Sequence, residues 1–136
     1  LAQIIQDEIH KRAVFISSHR MELVERLCNE VIVLDHGAVR CCGEPADVAR
    51  ELCSNGFNIL TEGDTGEMLA ALANRHPESV SYATSFGGYV CGVNAQQDEL
   101  LQFLNELGDN TVSIEKAAVS LVDAMHFLLK NPVKSI

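Results

Sequence analysis

Strand-like and helix-like segments follow one another in the second half of this sequence in an order that few folds share. Alternating or continuous apolar runs predict strands, and apolar residues that recur every three or four positions predict helices. The predicted segments are a strand at 57–61, a helix between Asp64 and His76, strands at 80–84 and 89–93, a helix carrying Leu100 to Leu107, and a strand at 111–115. Their order is β-α-β-β-α-β, and a final helix over residues 118–130 follows.

This order predicts an α+β domain of the ferredoxin-like, split βαβ kind, in which two helices cover one face of an antiparallel sheet. Asp64 and Glu67 have the spacing of a capping box, which supports a helix start at that point. Gly87-Gly88 lies between two predicted strands and predicts a type I′ turn, because both central residues of that turn need φ > 0. The final helix is apolar around most of its circumference. We expect it either to pack under the sheet or to meet another chain, for instance in a homodimer.

The first half predicts an α/β unit with a different pattern. Its segments are a helix at 1–11, a strand at 13–16, an amphipathic helix from Met21 to Cys28 with its charged residues toward water, strands at 31–34 and 38–42, and a helix begun by Pro45. The two later strands are expected to form a hairpin around Asp35-His36-Gly37, a sequence typical of turns. The short polar stretch Ser54-Asn55-Gly56 is the predicted boundary, which divides the chain into residues 1–54 and 57–136.

The composition excludes several classes of protein. The net charge is −9 and the 10 basic residues are scattered, whereas a nucleic-acid-binding surface needs clustered Lys and Arg. No apolar run approaches the roughly 20 residues of a membrane span, and residues 1–8 lack the basic and apolar regions of a signal peptide. The 5 cysteines include no CxxC pair, which predicts free thiols in a reducing compartment. Because the first residue is Leu1 rather than Met, we expect a piece of a longer polypeptide.

Residues 15–22, Phe-Ile-Ser-Ser-His-Arg-Met-Glu, resemble the strand and switch histidine (the H-loop) near the end of ABC transporter ATP-binding domains. The sequel is similar to that family as well, with Leu27-Cys28-Asn29 before an apolar strand, a turn glycine at Gly37, and Gly43-Glu44-Pro45 before a helix. The resemblance covers residues 1–52 and implies the C-terminal end of a P-loop ATPase core. The second half resembles, by position and topology, the small accessory domain that follows this core in some exporter-type subunits.

The resemblance implies a specific role for His19. In that family the switch histidine stands at the end of a strand and contacts the γ-phosphate of ATP and the attacking water. His19 is therefore the one residue of this chain expected to be catalytic and to contact ATP. The complete subunit would use ATP and Mg²⁺, with a transmembrane permease subunit and a second ATP-binding subunit as partners. Its expected place is cytoplasmic, on the inner face of the membrane.

Other motifs of the family are absent from the 136 residues. The sequence has no GxxxxGK[ST] loop to hold phosphates, no Ser-Gly-Gly-Gln signature, and no Asp-Glu pair after a buried strand to hold magnesium and activate water. We therefore expect this chain alone to need no cofactor and to lack ATPase activity. The alternative function is a stand-alone ferredoxin-like module that binds a small ligand or dimerises, with Gly87-Gly88 as a point of close approach to the ligand.

Two further constellations have simpler interpretations than chemistry. His36 with Cys41 and Cys42 contains potential zinc ligands, but adjacent residues of a strand point to opposite faces, so no metal site is expected. Asp64 and Glu67 have the residue types of an acid/base pair. A helix cap accounts for both residues.

We predict no measurable binding of ATP with Mg²⁺ in a calorimetric titration of this chain, because the sequence contains no loop to hold the phosphates. Micromolar binding, or ATP turnover that His19→Ala abolishes in a clean preparation, would contradict this prediction.

Overall fold

The computed structural model describes residues 20–107 and 111–131, which contain five helices and two antiparallel sheets. The helices are α1 (Met21–Leu27), α2 (Pro45–Leu52), α3 (Thr65–Arg75), α4 (Gln97–Glu106) and α5 (Leu121–Lys130). The strands are β1 (Val31–Asp35), β2 (Ala38–Gly43), β3 (Gly56–Thr61), β4 (Val80–Thr84), β5 (Gly87–Cys91) and β6 (Thr111–Lys116). The predicted helix at 1–11 and strand at 13–16 lie outside the described residues. None of the five described helices has the length and apolar character that crossing a lipid bilayer requires.

Strands β1 and β2 form an antiparallel hairpin, as predicted. The chain reverses at His36 and Gly37, whose φ angles are 52° and 79°. Positive φ at both central residues is the requirement of a type I′ turn, whose twist matches that of the flanking strands. Gly37 adopts this conformation without a Cβ penalty.

The two faces of the hairpin have opposite environments. Val33 and Cys41 are partners across the strands, and both side chains are buried. Ile32, Leu34 and Val39 are on the other face, where they are 60%, 67% and 62% exposed. The hairpin therefore presents three aliphatic side chains to solvent, an arrangement that often marks an interface.

The other four strands form one antiparallel sheet in the order β4-β5-β3-β6. β3 lies inside the sheet, where Phe57 partners Val90 of β5 on one side and Lys116 of β6 on the other. β4 and β6 are therefore the sheet edges. The predicted order of elements, β-α-β-β-α-β, is confirmed for residues 56–116.

The predicted turn at Gly87-Gly88 is wrong. Residues 85–86 form the turn between β4 and β5, and both glycines belong to β5. At Gly87 φ is 146°, and a Cβ there would collide with the Ile59 carbonyl oxygen. A Cβ at Gly88 would stand 2.7 Å from the Met68 methyl group. The glycines thus permit close packing inside the chain, which removes the reason to place a ligand beside them.

Two buried clusters lie on opposite faces of the four-stranded sheet. They are separated by the alternation along β5, where Val90 points to one face and Tyr89 and Cys91 to the other. The cluster under α3 and α4 contains Phe57, Ile59, Met68, Leu72, Val90, Val93, Leu100, Leu104 and Ile114. The other, here named the junction cluster, contains Val24, Val33, Cys41, Val48, Ala49, Leu52, Cys53, Tyr89, Cys91, Val119, Leu121 and Ala124. It therefore draws residues from both sides of the predicted boundary at 54–56.

Helix α5 packs against α2 and also contacts α1 and β4. It begins at Leu121 rather than at residue 118, because Ser120 is its N-cap and the Ser120 hydroxyl accepts a hydrogen bond from the Asp123 amide (3.1 Å). Leu121 and Ala124 are 1% and 0% exposed in the junction cluster, whereas Leu129 is 74% exposed. Helix α5 therefore packs within the chain, and its contact with a second chain stays a prediction.

The orientation of α5 can be tested by substituting alanine for two of its leucines, one buried and one exposed. Leu121→Ala is expected to lower the free energy of unfolding by about 2–5 kcal/mol, because it leaves a cavity in the junction cluster. Leu129→Ala is expected to change it by less than about 0.5 kcal/mol, as is usual for a surface position. Denaturant unfolding followed by circular dichroism measures both. Equal losses in the two variants would show that α5 is packed differently.

Candidate functional site

The predicted switch histidine, His19, lies outside the described residues. Arg20, the first described residue, is the N-cap residue of α1. Helix α1 follows immediately, and its Val24 side chain is buried in the junction cluster. The chain on the C-terminal side of His19 is therefore anchored by a helix with a buried face.

The described residues 36, 41 and 42, which are His36, Cys41 and Cys42, are not brought together as a group of metal ligands. Cys41 is buried and Cys42 is exposed, as the alternation along β2 predicts. His36 is in the hairpin turn, with its Nδ1 2.7 Å from the Asp35 carboxylate. Within residues 20–107 and 111–131, no group of three or more His, Cys, Asp or Glu side chains is placed to hold a metal ion.

Asp64 acts as a helix cap, as predicted. Its Oδ1 accepts a hydrogen bond from the Glu67 backbone N–H (3.1 Å), and α3 begins at the next residue, Thr65. The bond satisfies one of the first-turn donors that have no acceptor inside the helix. The geometry supports the capping interpretation over an acid/base pair.

A buried carboxylate that the sequence analysis did not single out lies beside the junction cluster. Asp123 is 7% exposed. Its Oδ2 accepts hydrogen bonds from the Tyr82 hydroxyl on β4 (2.9 Å) and from the Ser120 hydroxyl (3.0 Å). Burying a carboxylate is unfavourable by several kcal/mol unless hydrogen bonds compensate. These two bonds offset that cost, and the bond from Tyr82 joins α5 to an edge strand.

Two tyrosines pack beside Asp123. The rings of Tyr82 and Tyr89 are 5.1 Å apart between centroids, and the Tyr89 hydroxyl donates to the Ala118 carbonyl oxygen (3.1 Å). Loss of hydration and the hydrogen bond to Asp123 raise the pKa of Tyr82 to about 12. Burial raises the pKa of Tyr89 well above its ordinary value. Both hydroxyls therefore remain protonated donors throughout the neutral range.

Two buried thiols, Cys53 and Cys91, also belong to the junction cluster. A hydrogen bond between them lowers the pKa of Cys53 and raises the pKa of Cys91. The Cys53 thiol also donates to the Asn55 carbonyl oxygen (3.7 Å). Shielded from solvent, the thiols serve as small core side chains rather than as reactive groups.

Glu25 connects the two halves of the chain. It was predicted to face water with the other charged residues of α1, but its Oε1 accepts a hydrogen bond from the Val122 backbone N–H (3.1 Å). That N–H is in the first turn of α5, where it has no acceptor inside the helix. A negative charge at this position also interacts favourably with the helix dipole.

A cleft of about 490 Å³ opens beside the predicted boundary. It is lined by Ser54, Asn55, Gly56, Phe57, Ala95, Gln96, Gln97, Asp98, Lys116 and Ala117. The Asn55 side chain donates to the Val93 carbonyl oxygen (2.7 Å) and accepts from the Val93 N–H (3.0 Å). Gln97 donates to the Ile114 carbonyl oxygen (2.6 Å). Both amides therefore serve the fold, by tying neighbouring segments together at the rim of the cleft.

Of the residues around Asp123 that were not singled out from the sequence, some are indicated by the local sequence and others are not. Ser120 and Asp123 have the spacing of an N-cap and a third helical residue, which places the start of α5 correctly. Nothing in the sequence places Tyr82 or Glu25 beside this helix, because their bonds to it span 41 and 97 residues.

No protein-family model matches this chain, and no curated protein matches it. The likeness to ABC transporters therefore depends on the chain's own residues between 1 and 52.

Titration of Tyr82 and Tyr89 tests the cluster around Asp123. The chain contains no other tyrosines, so the whole phenolate signal comes from these two. We expect almost no phenolate absorbance from the folded protein at about pH 10, the ordinary tyrosine pKa. Since the folded pKa of Tyr82 is raised to about 12, its contribution to stability is complete below about pH 10 and is lost as the pH rises toward 12.

Ultraviolet titration with circular dichroism in parallel measures this. In denaturant, both tyrosines should titrate near pH 10. Half of the phenolate signal at about pH 10 in protein that is still folded would contradict the arrangement.

Proposed function

We propose that this chain is the C-terminal portion of an ABC transporter ATP-binding subunit, and that the complete subunit couples ATP binding and hydrolysis to transmembrane transport. The likeness over residues 1–52 is the starting point. The helix α1, the tight hairpin β1–β2 and the proline-started helix α2 support it, because they follow one another in the order that the likeness implies.

The observation that carries the proposal is the exposed apolar face of the hairpin. Ile32, Leu34 and Val39 are each at least 60% exposed. An isolated two-stranded hairpin is marginally stable, and it needs further strands or packing to persist. The junction cluster covers one face of this hairpin. We infer that the remainder of the ATPase core covers the other face in the complete subunit.

We further propose that residues 57–136 are an accessory domain, whose β-α-β-β-α-β part is ferredoxin-like. Support comes from the strand order β4-β5-β3-β6 and from the position of α3 and α4 against one face of the sheet. β3 and β4 run in the same direction on either side of β5, as a split βαβ unit requires. The junction cluster lies on the other face, so buried contacts hold this domain to the preceding unit.

In this proposal the chain supplies His19, which contacts the γ-phosphate and orients the attacking water. ATP and Mg²⁺ are bound mainly by other parts of the same subunit. A second ATP-binding subunit and a transmembrane permease complete the transporter, with this subunit on the cytoplasmic face. The alternative is a stand-alone module that binds a small ligand or dimerises. Its ligand-binding form loses support, because packing inside the chain accounts for the Gly87-Gly88 pair.

The test is ATP hydrolysis by the complete subunit that contains these residues. His19→Ala should lower kcat by about a hundredfold, a magnitude typical for the loss of one group that stabilises the transition state. His36→Asn is the matched control, because asparagine tolerates the positive φ of the hairpin turn. A complete subunit without ATPase activity would overturn the proposal, and so would equal rates in the two variants.

A further inference from the structure

The four-stranded sheet ends in two edge strands, β4 and β6, which are not equally protected against pairing with another strand. An edge strand presents a row of backbone N–H and C=O groups that have no partner in their own sheet, and a further strand can pair with that row. Natural proteins block such edges with charged side chains, proline, bulges or covering segments. What each edge can bind therefore depends on which of these devices it carries.

β6 carries three of these devices. Its pairing with β3 contains an irregularity at which the register shifts. Its last two residues, Glu115 and Lys116, are charged and exposed. The Gln97 side chain of α4 occupies one of its carbonyl groups, by donating a hydrogen bond to the Ile114 oxygen (2.6 Å). This edge of the sheet is thus protected against a further strand.

β4 carries none of them. Its sequence, Val-Ser-Tyr-Ala-Thr, has neither charge nor proline, and its pairing with β5 runs without irregularity from Val80 to Thr84. Within the described part of the chain, no backbone hydrogen bond from outside the β4–β5 pair reaches this strand. The Lys130 Nζ of α5 donates to the carbonyl oxygen of Ser79, which is the residue before the strand. β4 is therefore the open edge of the sheet.

Apolar side chains accompany this open edge. Tyr82, in the middle of β4, is 42% exposed, and Phe86, in the turn that follows the strand, is 87% exposed. Ala83 and Thr84 are exposed as well. An exposed edge with aromatic and β-branched side chains favours pairing with another strand, because such residues fit a pleated surface.

The sequence of β4 is compatible with itself in antiparallel pairing. When Tyr82 lies opposite Tyr82 of a second copy, Ser81 lies opposite Ala83 and Val80 lies opposite Thr84. None of these pairs brings like charges together, although each chain has a net charge of −9. The same surface then serves both copies, which is the arrangement of two-fold symmetric homodimers.

We propose that β4 pairs with β4 of a second copy, antiparallel and centred on Tyr82, so that two four-stranded sheets become one continuous sheet. Because β6 is protected, the sheet of each copy offers one open edge, and association ends at the dimer. The interface contains one short strand from each copy and belongs to the weak class, below about 1,200 Å², so we expect a dissociation constant of at least about 10 µM. The dimer goes beyond the proposed function and does not depend on it.

The dimer is tested by analytical ultracentrifugation of the 136-residue chain at concentrations on both sides of this value. Ala83→Lys should raise the dissociation constant by at least about tenfold, because an edge lysine opposes pairing and the lysines of the two copies would be diagonal neighbours. Ala73→Lys is the matched control, since it adds the same side chain at an exposed alanine of α3. Circular dichroism checks that both variants are folded. Equal dissociation constants for the two variants would overturn the proposal.

Amide hydrogen exchange followed by NMR locates the contact. As the concentration rises through the dissociation constant, exchange of the outward amides of β4 should slow, because each gains a carbonyl acceptor in the second copy. Exchange in β6 should not change with concentration, which makes the protected edge the internal reference. Slowing at β6, or no slowing at β4, would contradict the pairing.

Leu34→Lys separates the open edge from the exposed hairpin face as the site of association. Leu34 is 67% exposed on that face, and the dimer should persist in this variant because the hairpin takes no part in the pairing. A dimer that is lost in Leu34→Lys and kept in Ala83→Lys would place the contact on the hairpin and overturn the proposal. A chain that is monomeric at every concentration would overturn it as well. None of these outcomes bears on ATP hydrolysis by the complete subunit, so the two proposals stand or fall separately.

Discussion

Burial of α5 between the helix–hairpin–helix unit and the four-stranded sheet is the interaction on which the rest of this structure depends. Leu121 and Ala124 pack with Val48 and Ala49 of α2 and with Tyr89 of the sheet. Without this helix, one face of the sheet and the inner face of α2 would expose their apolar side chains. The hydrophobic effect thus makes the last segment of the chain the element that holds its earlier segments together.

Polar contacts determine where α5 sits on these apolar surfaces. Apolar packing is non-directional and tolerates small shifts, whereas a buried carboxylate requires donors at defined positions. Asp123 finds them in Tyr82 and Ser120, and the Val122 N–H finds its acceptor in Glu25. Two of these contacts bridge different elements, so they specify one seating of the helix.

The proposed function follows from a contrast between the two faces of the β1–β2 hairpin. Its inner face belongs to the same buried cluster as α5, and its outer face is apolar and exposed. A surface of this kind favours association with another folded part. In the proposal, that part is the remainder of the ATPase core, on the basis of the resemblance of residues 15–22 to the H-loop.

Local chemistry in the sequence determined the element types and most of their limits. Period-two and period-3.6 patterns, the Asp64 cap, the turn at His36-Gly37 and Pro45 act over a few residues, so they are readable without a fold. The Gly87-Gly88 pair was misread as a turn, because glycines that permit close packing within a strand have the same sequence signature as the central glycines of a type I′ turn. Only the tertiary structure decided between these two roles. It also decided the partners of Asp123 and Glu25, since those bonds join residues 41 and 97 positions apart, and local patterns contain no information on which distant segments will meet.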